Sequence, residues 1–183
     1  MPTRLRGLIA FLVIACAASP AFAQTGGTLI PIRYRTYIGI NPLGIPFDVG
    51  SAELESAIAP GITFGGLASY TSVDDNRWLS FDAKVRYYPG EVVLRGFSIG
   101  LSAGSLRYST SGSDSLGVQT RRVFNAPTIG VITDYNWMLG TERRFIVGTG
   151  LGAKRILASQ EARDRVDISR AYVTVRFIVG LAF

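Results

Sequence analysis

The chain contains no histidine. That absence excludes hydrolysis by a Ser-His-Asp or Cys-His arrangement, because no imidazole is present to take the nucleophile's proton. It also removes the commonest nitrogen ligand for zinc or iron. Cysteine is nearly absent: the single one, Cys16, lies close to the N-terminus. If the segment through Ala23 is cleaved off, no thiol remains for a disulfide framework or a metal site. Long apolar runs are missing as well. Hydrophobic residues make up 48% of the chain, yet beyond Ala23 none form an uninterrupted stretch approaching the ~18 residues of a membrane helix. The hydrophobicity is spread in alternation instead, the form it takes in membrane strands.

The first 23 residues read as an export signal. Arg4 and Arg6 give a positive start, Leu8 to Ala18 an apolar stretch, and Ala21 and Ala23 the small residues of a cleavage site before Gln24. A lipoprotein reading competes, since Val13-Ile14-Ala15-Cys16 loosely matches a lipid-attachment box; the Ala23 site is the cleaner match. The expected organisation is a signal peptide over 1–23 and one β domain over 24–183. Losing the two charges of Arg4 and Arg6 would lower the formal charge from +6 to +4. A mild basic excess in an exported chain suits lipid phosphates, and no nucleic-acid partner is expected.

After a Gly-rich lead, eight strand-like segments follow with turn residues between them. They are Leu29–Ile40, Asp48–Ala59, Ile62–Thr71, Arg77–Tyr88, Arg95–Tyr108, Ala126–Met138, Arg143–Ala158 and Ser169–Phe183. The Asn41–Phe47 connection is rigid and rich in turn residues. Pro60-Gly61, the return from Pro89 to Arg95, and Leu139–Glu142 are compact. Ser72–Asn76, Ser109–Asn125 and Ser159–Ile168 are longer or more polar. An even strand count with short and long connections at alternate ends is the topology of an outer-membrane barrel.

The last segment separates its faces most clearly. Val173, Val175, Phe177, Val179, Leu181 and Phe183 share one side; Tyr172, Thr174, Arg176, Ile178, Gly180 and Ala182 share the other. The apolar side is about as long as a tilted strand needs to cross a bilayer. A charge at Val179 should therefore disturb more than an alanine at Gly180, barring a clash there. In the fourth segment Leu79, Phe81, Ala83, Val85 and Tyr87 oppose Trp78, Ser80, Asp82, Lys84, Arg86 and Tyr88. Across all segments the less apolar face collects Glu53, Glu55, Asp82 and Asp134 with Lys84, Arg86, Lys154 and Arg176. In a narrow eight-stranded lumen these four acids and four bases would have to pair. A structural ionic plug is the favoured reading, and a proton or ion path the competing one. A soluble barrel carrying a lipid would turn the same apolar face inward, and alternation alone does not say which face is inside. Tyr87, Phe97, Tyr135, Trp137, Phe145 and Phe183 should form a girdle near the inner ends of the strands.

Other motifs carry little chemistry. Glu53 and Glu55 could form a glycosidase-like pair, but same-face neighbours two apart are ordinary in strands. Asp74-Asp75 sits in a loop. Gly148-Thr149-Gly150-Leu151-Gly152 lacks the following helix of a phosphate loop, and suits relief of crowding or strand curvature. Arg107, Arg121, Arg122, Arg155, Arg163 and Arg165 would gather near the outer ends, as solvated loop charge or as lipid-phosphate contacts.

The alternation, the export signal and the terminal Phe183 together resemble the small eight-stranded outer-membrane barrels of the OmpA/OmpX kind. Asn41-Pro42-Leu43-Gly44 and Arg86-Tyr87-Tyr88-Pro89-Gly90 resemble fixed features of uncharacterised bacterial outer-membrane barrel-domain proteins. The resemblance implies an all-β fold, an eight-stranded antiparallel up-and-down transmembrane β-barrel in the bacterial outer membrane. It implies Phe183 as an assembly signal, the barrel assembly machinery as a partner, and outer-membrane lipids, lipopolysaccharide included, as surroundings. Barrel enzymes of that membrane rely on histidine, so the chain departs from them at the decisive residue. No enzyme activity and no cofactor are expected. The expected role is structural or adhesive, through the outer loops. A narrow pore and a soluble periplasmic lipid-binding barrel are the alternatives.

Overall fold

The computed structural model describes residues 34–90, 92–113, 119–164, 166 and 168–183. The expected signal peptide, its cleavage site and Arg165 lie outside the described residues. The strands are β1 (Thr36–Ile40), β2 (Val49–Ala59), β3 (Ile62–Val73), β4 (Asn76–Tyr87), β5 (Gly96–Ser113), β6 (Gln119–Leu139), β7 (Phe145–Ile156) and β8 (Ala171–Ala182). Each pairs antiparallel with the next, and β8 pairs with β1 to close a barrel. The stagger follows from register. From Leu181 the partners run through Ile38, Leu54, Gly66, Ala83, Ala103, Ile129 and Arg155, and return to β8 at Ala171, ten residues from Leu181. With ordinary strand rise and spacing, that stagger over eight strands means a tilt of about 40°.

The two-residue side-chain period decides what this ring encloses. Val173 is 73% exposed on the outer surface, whereas Glu53, Glu55 and Arg86 are each 1% exposed inside. Leu54, Phe81, Leu101, Val131 and Leu151 are likewise exposed, each flanked along its strand by inward-facing residues. A soluble lipid-carrying barrel would show the opposite distribution. An outward apolar wall around a charged interior is a surface for hydrocarbon. Closing the ring also satisfies most of the wall's backbone without water. The molecule is a transmembrane β-barrel of the outer-membrane type.

The lumen is layered. At the inner end Tyr37, Leu94, Ile146, Ile178 and Ala182 pack into one buried cluster. At the outer end Leu106, Tyr108, Phe124, Ala126, Ile156 and Ile168 form another, with Trp78 and Tyr172 against it. Leu94 comes from the β4–β5 return, where it adopts a left-handed conformation at φ 67° and is fully buried. Sequence alternation could not place it, because it belongs to a turn. The six aromatic residues expected at the inner ends all lie on the outer face, with Phe97 opposite Tyr135, Trp137 opposite Val147, and Phe145 opposite Leu181. Tyr135 and Trp137 pack ring against ring at 4.7 Å.

Three expectations need correction. Much of Ser109–Asn125, expected as a loop, is strand: β5 and β6 stay in register from Arg107 opposite Asn125 to Ser113 opposite Gln119. Its hydrophilic composition reflects solvent on its surfaces, while Tyr108 and Phe124 anchor it to the outer cluster. The expected Ser159–Ile168 loop carries a short helix, α1 (Gln160–Asp164). The third correction concerns Gly180. It stands opposite Gly39 where the barrel closes, and a Cβ on it would come 2.8 Å from the Gly39 Cα. Alanine there would force the closing strands apart and is not the mild change expected.

An arginine introduced at Val131, which faces outward in mid-wall, is expected to destabilise insertion by about 2–4 kcal/mol. At Phe145, near the inner boundary, the cost should fall to about 0–1 kcal/mol. Urea titration of folding into lipid vesicles measures both, and equal losses would contradict the depth assignment.

Candidate functional site

The strand period brings the eight predicted charged residues into the lumen from five strands. β2 contributes Glu53 and Glu55; β4 contributes Asp82, Lys84 and Arg86; β6, β7 and β8 contribute Asp134, Lys154 and Arg176. Glu53 is the hub. Its carboxylate is 2.7 Å from Lys84 Nζ and 2.9 Å from Arg86 Nη1, and accepts Arg176 Nε and Nη2 at 3.0 Å each. Arg86 also pairs with Glu55, and its Nε lies 2.7 Å from Asp134 Oδ2. Arg176 extends the set through Asn136 Oδ1 at 3.0 Å and reaches Asp134 at 3.9 Å. Lys154 and Asp82 form a separate pair at 2.5 Å nearer the outer end.

Residues that charge pattern alone did not select complete the network. The Tyr37 hydroxyl donates to Glu53 and accepts Arg176 Nη2 at 2.8 Å. Glu55 receives the Thr63 hydroxyl and, at 3.0 Å, that of Tyr88. Asn136 Nδ2 donates to the Tyr88 oxygen at 3.2 Å. Tyr88 and Asn136 share a strand face with Arg86 and Asp134, which was the available signal. Tyr37 had only its parity within β1. The Gly148–Gly152 run makes room for the network, since a Cβ on Gly150 would fall on the Asp134 carboxylate.

Burying these ions costs several kcal/mol each, and that cost is offset only where every ion is paired and further hydrogen-bonded. The hub meets the pairing half of this condition, since Glu53, Glu55 and Asp134 all contact Arg86, while Arg86 Nη2 and Asp134 Oδ2 are buried without a hydrogen bond. The same contacts weigh against the glycosidase reading. Glu53 and Glu55 are clamped on one guanidinium, which leaves neither free for the acid and nucleophile roles of a glycosidase pair. Among the described residues no group of three or more His, Cys, Asp and Glu side chains is arranged to hold a metal ion.

The arginines of the outer rim are not one cluster. Arg107 and Arg155 are exposed on the outer face of the wall, and Arg77, not singled out in the sequence, is exposed beside Arg107 on the neighbouring strand. Arg121 and Arg122 are exposed on the β5–β6 hairpin, where Arg121 Nη2 reaches Ser109 Oγ at 3.5 Å. Arg163 is half-buried near the end of α1.

Arg86→Met should destabilise the barrel by about 3–5 kcal/mol, because it strands buried carboxylates. Arg176→Met should cost less, since Glu53 keeps Lys84 and Arg86. Urea titration in vesicles ranks the two, and a larger loss for Arg176→Met would contradict the hub assignment.

No protein-family model matches the chain, and no curated protein matches it. Five chains of solved structures do. One is the Yersinia pestis outer membrane protein Ail in a phospholipid bilayer nanodisc, 12% identical, with 82% of this chain and 99% of that chain covered and a TM-score of 0.48. At that identity the likeness concerns the backbone path alone. The closed ring of eight strands, charged within and apolar without, is what makes this chain an eight-stranded outer-membrane-type barrel.

Proposed function

We propose that this protein is a closed, non-enzymatic barrel that acts through its outer rim, as a structural or adhesive element of the bacterial envelope. One contrast supports the reading most. The lumen is crossed by paired charges between two apolar layers, while the β5–β6 hairpin runs past its neighbours. β4 stops at Asn76 opposite Thr110, and β7 stops at Ile156 opposite Thr128, so the hairpin stands beyond the wall on both sides. A lumen bridged by ion pairs between apolar layers is a poor conduit, and a projecting hairpin is a means of contact.

Arg77, Arg107, Arg121 and Arg155 give this rim its chemistry. Guanidinium groups hold phosphates through paired donors, so the phosphates of lipopolysaccharide are the proposed contact. The export signal over 1–23 and a role for Phe183 in recognition by the assembly machinery belong to the same proposal. Phe183 is exposed at the inner end, where its carbonyl accepts the Thr36 N–H at 3.1 Å.

Replacing residues 111–121 by a two-residue turn should leave heat-modifiable gel mobility intact and weaken binding to vesicles containing lipopolysaccharide. The unmodified protein should show no steady conductance in planar bilayers. A stable, resolved channel would replace this reading with the pore. Unchanged vesicle binding after shortening would remove the hairpin from the contact.

A further inference from the structure

The barrel wall is uneven in height. β1 ends at Ile40, whose partner on β8 is Val179. β8 begins at Ala171, so from Ala171 to Ile178 its ladder runs along β7 only. Thr36 and Phe183 exchange both backbone hydrogen bonds. Bonding direction alternates along an antiparallel strand, so Val173, Val175 and Phe177 aim N–H and C=O groups towards a β1 that has already turned away. Among the described residues no backbone group meets them. The β1–β2 connection folds back on β2 instead: Asn41 N–H bonds Ser51 O, and Val49 N–H bonds Gly44 O.

A cavity of about 440 Å³ runs from the lumen, where Glu53, Leu106 and Asp134 line it, to this notch. Asp82, Ser102, Lys154 and Arg176 line it from the lumen, and Val173, Val175 and Phe177 line it from the lipid side. Side chains on opposite faces of one strand line the same cavity when it passes around that strand's free edge. An open edge facing acyl chains is not tolerated at membrane depth, so these backbone groups need polar company. The residues lining the cavity carry buried polar atoms without a hydrogen-bond partner; among them Asp82 Oδ1 and Ser102 Oγ, on residues 5% and 6% exposed, want a donor or either partner, and Arg86 Nη2 wants an acceptor.

These demands define an occupant. The lumen's four acids and four bases balance, so a charged head would leave a buried ion uncompensated. A hydroxyl is neutral and both donates and accepts. That matches an edge offering N–H and C=O groups and a carboxylate oxygen in need of a donor. We propose that the notch is a lateral binding site for a neutral amphiphile with a hydroxylated head. The head sits against Asp82, Ser102 and the free edge of β8. The acyl chain leaves over Val173, Val175 and Phe177, beside the exposed Leu43, Ile45 and Phe47 of the β1–β2 connection. A second copy does not fit the edge. Two barrels inserted the same way carry β8 in the same sense, tilted to opposite sides of the membrane normal, so their edges cross rather than pair antiparallel. The site is independent of the rim function proposed above.

Proline substitution tests the notch itself. Val175→Pro removes an N–H without a protein partner, whereas Val179→Pro removes one bonded to β1. The first should still give a heat-modifiable barrel and the second should not; failure of both would overturn the notch. For the ligand, Trp137→Phe leaves Trp78, which lines the cavity, as the only tryptophan. In phosphatidylcholine nanodiscs, a monoacylglycerol with a nitroxide near its ester should quench Trp78 saturably. Displacement by 1-lauroylglycerol would identify a glycerol head, and displacement by dodecyl maltoside a sugar head. Quenching that merely follows mole fraction, as for a matched spin-labelled phosphatidylcholine, would overturn the proposal. So would equal displacement by anionic laurate.

Discussion

Acyl chains offer no hydrogen bonds, so a backbone N–H or C=O at membrane depth has to be satisfied by the protein itself. For a sheet the remedy is closure, and here eight strands close with a stagger of ten residues, from Leu181 to Ala171 on β8. Closure with so few strands leaves a lumen only wide enough for side chains. The outward half of each strand is committed to lipid, so the inward half carries nearly all the polar character. Charges buried there are costly unless paired with one another, and the Arg86–Glu53–Glu55–Asp134 hub pairs them.

The same constraint accounts for the layers at either end. Leu94 and Ile146 close the lumen below the hub, and Phe124 with Ile168 above it. Apolar layers bound the hub on both sides, and burial there strengthens its ion pairs and raises the cost of leaving any ion alone. The constraint is relaxed at one place, the free edge of β8 beside the β1–β2 connection. There the wall has a notch, and orphaned backbone and side-chain groups collect around it.

Much of this was legible because a strand period of two is rigid. Once Arg176 and Asp82 fall on the opposite face from Val175 and Phe81, every charged residue of the hub has its direction set. Alternation could not reveal which face was inside; the exposure of Val173 against the burial of Arg86 does. Nor could it reveal features outside the period. Leu94 enters the lumen from a turn, whereas the end of β1 at Ile40, before Asn41-Pro42, was legible from the turn residues. The β5–β6 hairpin was hidden because its surfaces face water, so serine, threonine and arginine replace the apolar half of the pattern. Gly180 looked permissive in sequence because its neighbour Gly39 lies across the closing pair.

The central claim is that Arg86 holds the buried carboxylates together as one unit. A double-mutant cycle of Arg86→Met with Glu55→Gln, read by urea titration of the barrel in vesicles, tests it most directly. Neutralising Glu55 removes one of the acids that Arg86→Met leaves stranded. The double variant should therefore lose clearly less stability than the two single losses combined, with a coupling of about 1–3 kcal/mol. Strictly additive losses, or an Arg86→Met variant as stable as the unmodified protein, would contradict the account.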